Sequence, residues 1–111
     1  MFQPLFEKVV FIGFGLIGSS LARVMIAENL AQHIVASTRS QKTLDDAQAL
    51  GLIQQGFINP VDAVQGADLV VLALPVQATE KVLATIRPYL SANVIITDVG
   101  STKANVVAAA K

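Results

Sequence analysis

Six residues, Gly13-Phe-Gly15-Leu-Ile-Gly18, limit what this chain can fold into more than any other feature. They spell G-x-G-x-x-G, a weak signal when it stands alone. Their position gives them weight. They follow Lys8-Val-Val-Phe-Ile12, a β-branched and aromatic run that reads as a buried strand. From within the motif onward, Ile17, Leu21, Val24, Met25 and Leu30 recur near helical spacing, which predicts a helix from Leu16 to about Asn29. A strand passing through a glycine turn into a helix is the context that supports dinucleotide binding. The first glycine permits the tight turn, the second lets backbone approach a pyrophosphate, and the third lets the helix pack closely on the strand. The helix N-terminus offers N–H groups and partial positive charge to the phosphates. A purely structural glycine turn and a methyltransferase-type loop are the other readings of the same residues.

The rest of the chain continues the alternation. His33-Ile-Val-Ala-Ser37 is a second strand candidate, and Ser40 or Thr43 can cap a helix running to Leu50, with Gly51 at its stop. Leu52 to Ile58 is expected to hold a small third strand. Asn59-Pro60 looks like a cap followed by proline at the first helical position, opening a short helix to about Gln65. Leu69 to Leu74 is a nearly continuous apolar run, of the kind covered on both faces in parallel sheets. Pro75 stops it, and a helix is predicted from Val76 to Arg87, ended by Pro88. Val94 to Thr97 is a further strand, and Ser101 or Thr102 can cap a last helix. Strand and helix in alternation imply an α/β fold, a Rossmann-type doubly wound parallel sheet. No repeat, low-complexity linker or internal boundary divides residues 1–111, so one domain is expected. The chain stops at Lys111 within an alanine-rich helical pattern, which leads us to expect a piece of a longer protein.

Composition removes several classes of function. The chain is 53% hydrophobic and 14% charged, against about 25% charged residues in ordinary soluble domains. It is too apolar for a disordered tail. Eight basic residues balance eight acidic ones, which argues against a nucleic-acid or membrane-surface footprint. With no cysteine and a single histidine, His33, a disulfide framework, a Cys-ligated zinc site, a thiol nucleophile and a multi-histidine metal site are out. No apolar run reaches the roughly 18 residues of a membrane span. The segment after Lys8 imitates a signal peptide, but Glu7 cancels the one basic charge and three glycines interrupt the run. A cytoplasmic location is compatible with all of this.

The expected cofactor follows from the end of the second strand. In NAD-binding versions of the fold an acidic residue about 20 positions after the glycines holds the ribose hydroxyls. Here the window is Ala36-Ser37-Thr38-Arg39-Ser40, with no acid; the nearest, Asp45, lies well inside the next helix. Hydroxyls of Ser37, Thr38 and Ser40 suit a 2′-phosphate, and the Arg39 guanidinium can grip it or stack on adenine. Lys42 is a weaker candidate for the same phosphate. NADP is therefore expected over NAD, with Arg39 as a plain solvated loop arginine the bland alternative. Ligands of such sheets lie outside the carboxyl ends of the strands. Leu74 and Pro75 should border that crevice, as should Asp98, Gly100, Ser101 and Lys103. Gly100 would let backbone approach the cofactor, while Ser101 and Lys103 bring a hydroxyl and a cation. Ser101 can equally be a plain helix cap, and Asp98 a turn acceptor instead of a base. His33 begins its strand at the far side of the sheet and reads as a surface residue.

The segments VVFIGFGLIGSSLA, GADLVVLALPVQAT and ITDVGSTKANVVAAA together resemble the prephenate dehydrogenase family, which includes arogenate and cyclohexadienyl dehydrogenases. They arrive in family order and spacing over nearly the whole chain, and the last is the most specific. The resemblance implies oxidation of prephenate or arogenate with NAD or NADP, by hydride transfer from the ring carbon that bears the hydroxyl. Carbon dioxide leaves as the ring aromatises, on the route to tyrosine. It also implies that a histidine handles the hydroxyl proton and that a serine of a G-S-x-K segment supports it. Ser101 matches that serine.

The sequence departs from the family pattern in one decisive respect. The family histidine follows the G-S-x-K segment in an H-P motif, and the 111 residues hold no such histidine. The substrate-binding arginine and the helical domain through which the family forms homodimers are also missing. The resemblance thus implies a nearly complete nucleotide-binding domain, inactive by itself. Another NADP oxidoreductase of this fold, of the imine reductase or 6-phosphogluconate type, would share the glycine turn but is not expected to carry TDVGSTK. A dinucleotide-sensing module without chemistry is the third reading.

Overall fold

A computed structural model describes residues 5–99. Five strands form one sheet: β1 (Phe6–Ile12), β2 (Ala31–Ser37), β3 (Gln55–Phe57), β4 (Leu69–Leu72) and β5 (Ile95–Asp98). Four helices connect them: α1 (Leu16–Ala27), α2 (Gln41–Ala49), the short α3 (Pro60–Ala63) and α4 (Val76–Ile86), the last followed by a 3₁₀ turn at Arg87–Tyr89. All strand pairs are parallel and the spatial order is β3-β2-β1-β4-β5. The expected doubly wound Rossmann-type sheet is what forms.

The alternation of side chains along β1 builds two cores. Val9 and Phe11 face one way and join Met25, Ile34, Leu44 and Val71. Val10 and Ile12 face the other and join Val35, Val64, Val70 and Ile86. Each apolar strand is covered on both sides, which explains the near-continuous hydrophobic runs in the sequence. Lys8 marks the opposite, N-terminal edge. Its Nζ donates to the Gln65 carbonyl at 2.7 Å, and burial holds its pKa below the ordinary lysine value.

The element limits differ from the sequence expectation where local hydrogen bonding intervenes. The first helix ends at Ala27, short of Asn29, because Asn29 takes φ 55° and Leu30 N–H returns to the Met25 carbonyl at 2.9 Å. The small third strand expected within Leu52 to Ile58 forms at Gln55–Phe57. Leu52 and Ile53 drop into the core as loop residues, and the Gln54 side chain accepts the Ile34 N–H at 2.7 Å in place of a strand carbonyl. The fourth strand ends at Leu72, two residues early. The fourth helix stops at Ile86, and Pro88 sits inside the 3₁₀ turn. The fifth strand is shifted by one, so Asp98 pairs with Leu72. The caps at Ser40 and Asn59 form as expected: Ser40 Oγ accepts from Thr43 N–H at 3.2 Å, and Asn59 Oδ1 from Val61 N–H at 2.9 Å. The helix expected after Ser101 or Thr102 lies outside the described residues.

Candidate functional site

Strand register brings the sequence candidates to one edge. Phe57 pairs with Ser37, Ser37 with Ile12, Ile12 with Leu72, and Leu72 with Asp98. That row is the carboxyl end of every strand. The chain winds from β1 outward through β2 to β3, then returns to the other side of β1 with β4. The turn after β1 therefore lies at the switch point of the strand order, where ligands of open α/β sheets bind.

The three glycines of that turn do different things. Gly13 has φ +84°, and a Cβ added there would lie 2.5 Å from the Ala73 carbonyl oxygen. Its N–H donates to the Ser37 carbonyl at 2.8 Å, which ties the turn to β2. Gly15 is the reverse case. A Cβ there would meet nothing within 4 Å, so the fold itself does not require glycine. At Gly18 the added Cβ would lie 3.4 Å from the Phe14 ring and 3.5 Å from the Gly13 carbonyl. Those are ordinary contact distances, so the third glycine is a milder packing requirement than the sequence reading gave it. Phe14 pins the turn to the core, its ring edge-on to Phe11 with centroids 5.5 Å apart, a contact worth roughly 0.5–1.5 kcal/mol. The helix that follows has Gly15 at its N-cap, no side-chain cap and no acid in its first turn. The backbone of Leu16, Ile17 and Gly18 forms that first turn, whose N–H groups have no partner within the helix. An open position over an uncapped helix N-terminus is a cradle that a Cβ would fill and a phosphate fits.

Beside the turn lies a cleft of about 460 Å³, within the roughly 300–1,000 Å³ of small-molecule sites. Ile12 and Gly13 border it at the sheet edge; Ser37, Thr38 and Arg39 flank it after β2. Ile58 and Pro60 close one side, and Leu74, Ala78 and Val82 the other. The Ile58 side of the cleft is open, since that residue is 50% exposed. Ile58, Pro60, Ala78 and Val82 are not legible as site residues in the sequence. The i, i+4 spacing of Ala78 and Val82 marks one helix face, but only the fold brings that face opposite Ile58.

The polar candidates divide. Arg39 is exposed at the cleft, and among the described residues no carboxylate pairs with it. Thr38 Oγ1 accepts from Ser40 N–H at 2.9 Å and donates to the Ser40 carbonyl at 3.1 Å. These bonds fix the short turn around Arg39. Ser37 is buried at the cleft wall, and its hydroxyl donates to the Ile58 carbonyl at 3.4 Å. Lys42 is drawn to Asp46 at 3.1 Å on the exposed face of α2. Pro75 is the N-cap of α4. His33 pairs in register with Lys8, four residues from Ser37, which at about 3.3 Å per residue puts it roughly 13 Å from the site edge. Gly100, Ser101 and Lys103 lie outside the described residues. Among the described residues no helix is long and apolar enough to cross a membrane.

The family model described as "Prephenate dehydrogenase, nucleotide-binding domain" matches residues 21–111. A cyclohexadienyl dehydrogenase of Zymomonas mobilis is 40% identical over 105 residues, which is 95% of this chain and 36% of that protein. The arogenate dehydrogenase structure from Synechocystis is 29% identical with TM-score 0.74, covering 84% of this chain and 32% of that one. The prephenate dehydrogenase of A. aeolicus, solved with hydroxyphenyl propionate and NAD+, has TM-score 0.75 at 23% identity over 83% of this chain and 32% of that one. At that identity the likeness concerns the fold. The chain spans about a third of the length of each of these relatives.

Proposed function

Because the chain belongs to the family of prephenate dehydrogenase nucleotide-binding domains, we propose that residues 1–111 are the NADP-binding domain of a longer prephenate or arogenate dehydrogenase. The observation that carries the cofactor reading is Gly15, a position left open over an uncapped helix at the switch point of the sheet. The backbone of Gly13, Gly15, Leu16, Ile17 and Gly18 would hold the pyrophosphate. Leu74, Ala78 and Val82, facing Ile58 and Pro60, would take the adenine. Arg39, with the Ser40 hydroxyl, would hold the 2′-phosphate by charge-assisted hydrogen bonds, where a carboxylate would repel it; Thr38, whose hydroxyl donates to the Ser40 carbonyl, shapes the turn that presents them. Ser37 supports these groups from the buried side. By the family motif, Gly100 and Ser101 are assigned with Pro75 to the nicotinamide, and Ser101 to the orienting role of the family serine.

When bound, the cofactor supplies a hydride acceptor for the substrate's hydroxyl-bearing ring carbon. The residues of this chain bind and orient it; the proton of the hydroxyl falls to a group outside residues 1–111. We place the enzyme in the cytoplasm, with which a chain lacking cysteine is compatible.

Calorimetric titration of the chain with NADP and NAD tests the proposal. Binding of both, with NADP tighter, is expected. An absence of binding overturns the cofactor reading, and tighter NAD binding overturns the assignment of the 2′-phosphate to Arg39.

A further inference from the structure

Only two polar side chains are buried among the described residues, Ser37 and Thr79. Ser37 borders the cleft beside Arg39. A hydroxyl in a core has a cost unless it is hydrogen-bonded, and an apolar side chain of similar size fills such a position without that demand. Thr79 does not line the cleft. Its Oγ1 donates to the Pro75 carbonyl at 3.1 Å and lies 3.3 Å from that of Leu74. The bond to Pro75 is the ordinary one of a helical threonine to the carbonyl four residues back. The contact with Leu74 is different, because Leu74 precedes the helix and its carbonyl has no place in the helical ladder. Leu74 itself lines the cleft, and its side chain closes over the glycine turn, 2.8 Å from where a Gly13 Cβ would stand.

We propose that Thr79 is a positioning residue, its hydroxyl fixing the Leu74–Pro75 turn and so the width of the apolar slot between Leu74 and Ile58. The inference rests on the reading of that slot as the adenosine site. Its consequence is a hydroxyl requirement at a residue that touches no ligand. Valine keeps the branched shape of threonine and removes the donor; serine keeps the donor and removes a methyl.

The experiment titrates the full chain, as wild type, Thr79→Val and Thr79→Ser, with 2′,5′-ADP, which carries the adenosine half alone. Melting temperatures are recorded for all three. Loss of one neutral hydrogen bond predicts weakening by about threefold to tenfold in Thr79→Val. Thr79→Ser should bind within about twofold of wild type, even where its lost methyl lowers the melting temperature more. Affinities that follow melting temperature instead of the hydroxyl, or Thr79→Val binding as wild type does, overturn the proposal. If wild type does not bind 2′,5′-ADP at all, the adenosine site itself is refuted, and this inference with it.

Discussion

The glycine turn separates two requirements, and paired substitutions should expose them. In Gly13→Ala the methyl meets the Ala73 carbonyl oxygen at 2.5 Å, and the residue must hold φ +84°. Left-handed backbone costs an L-residue about 1–2 kcal/mol. The carbonyl belongs to the main chain at the end of β4, so relieving the overlap means shifting that end, at about 1–3 kcal/mol for overpacking. The sum, roughly 2–5 kcal/mol, is a large part of the about 5–15 kcal/mol that holds a domain together. At about 4–8 °C per kcal/mol for a domain near this size, Tm should fall by at least roughly 8 °C.

Gly15→Val should behave in the opposite way. Its Cβ meets no protein atom within 4 Å, and φ is −91°, outside the left-handed region. The cost to folding is the weaker N-cap preference, about 1 kcal/mol. The cost to binding is larger, because the side chain occupies the space assigned to the pyrophosphate. Hydrogen bonds to charged groups contribute about 1.5–3 kcal/mol each, so loss of even two lowers NADP affinity by more than about a hundredfold. Thermal unfolding by circular dichroism and calorimetry with NADP measure the two effects separately. A Gly13→Ala chain that melts with wild type would refute the steric argument. Unchanged affinity in Gly15→Val would refute the assignment of the open position to phosphate.

Arg39→Ala should weaken NADP binding about ten- to a hundredfold, the worth of a charge-assisted contact, and leave NAD nearly unchanged; equal losses in a titration would mean that Arg39 stacks on adenine. Gly18→Ala should fold with a change below about 1 kcal/mol in chemical denaturation, since its methyl meets neighbours at 3.4 Å or more; a severe loss would restore the strict packing role. The 111-residue chain should bind NADP without reducing it in the presence of prephenate or arogenate. Proton removal from the substrate hydroxyl needs a base within hydrogen-bond reach, and the single histidine pairs with Lys8 toward the wrong edge. Growth of NADPH absorbance above a protein-free control would place the base within these residues.

What the sequence shows of this fold is what repeats along the chain, and what it hides is what folding brings together. The apolar runs of β1 and β4 and the spacing of α1 carry their own periods, so element type and order are legible. The limits are not, because they turn on single groups such as the Asn29 backbone or the Gln54 amide, which act as ends without interrupting any period. The same division holds at the site. Gly13 and Gly15 lie two residues apart in one motif, yet the structure packs one against Ala73 and leaves open space over the other. A string of glycines carries no such distinction, since it depends on whether Ala73 or open space stands opposite. Ile58, Pro60, Ala78 and Val82 come from two separate connections and meet only because β2 and β4 flank β1. Ser37 is the instructive case. As a letter it belongs with Thr38 and Ser40, three hydroxyls in four residues available to a phosphate. In the sheet it is the last residue of β2, its hydroxyl turned to the Ile58 carbonyl across the connection. Strand alternation decides that: successive side chains leave a strand on opposite faces, and the hydroxyls that remain beside Arg39 are those of the turn, where the strand has ended.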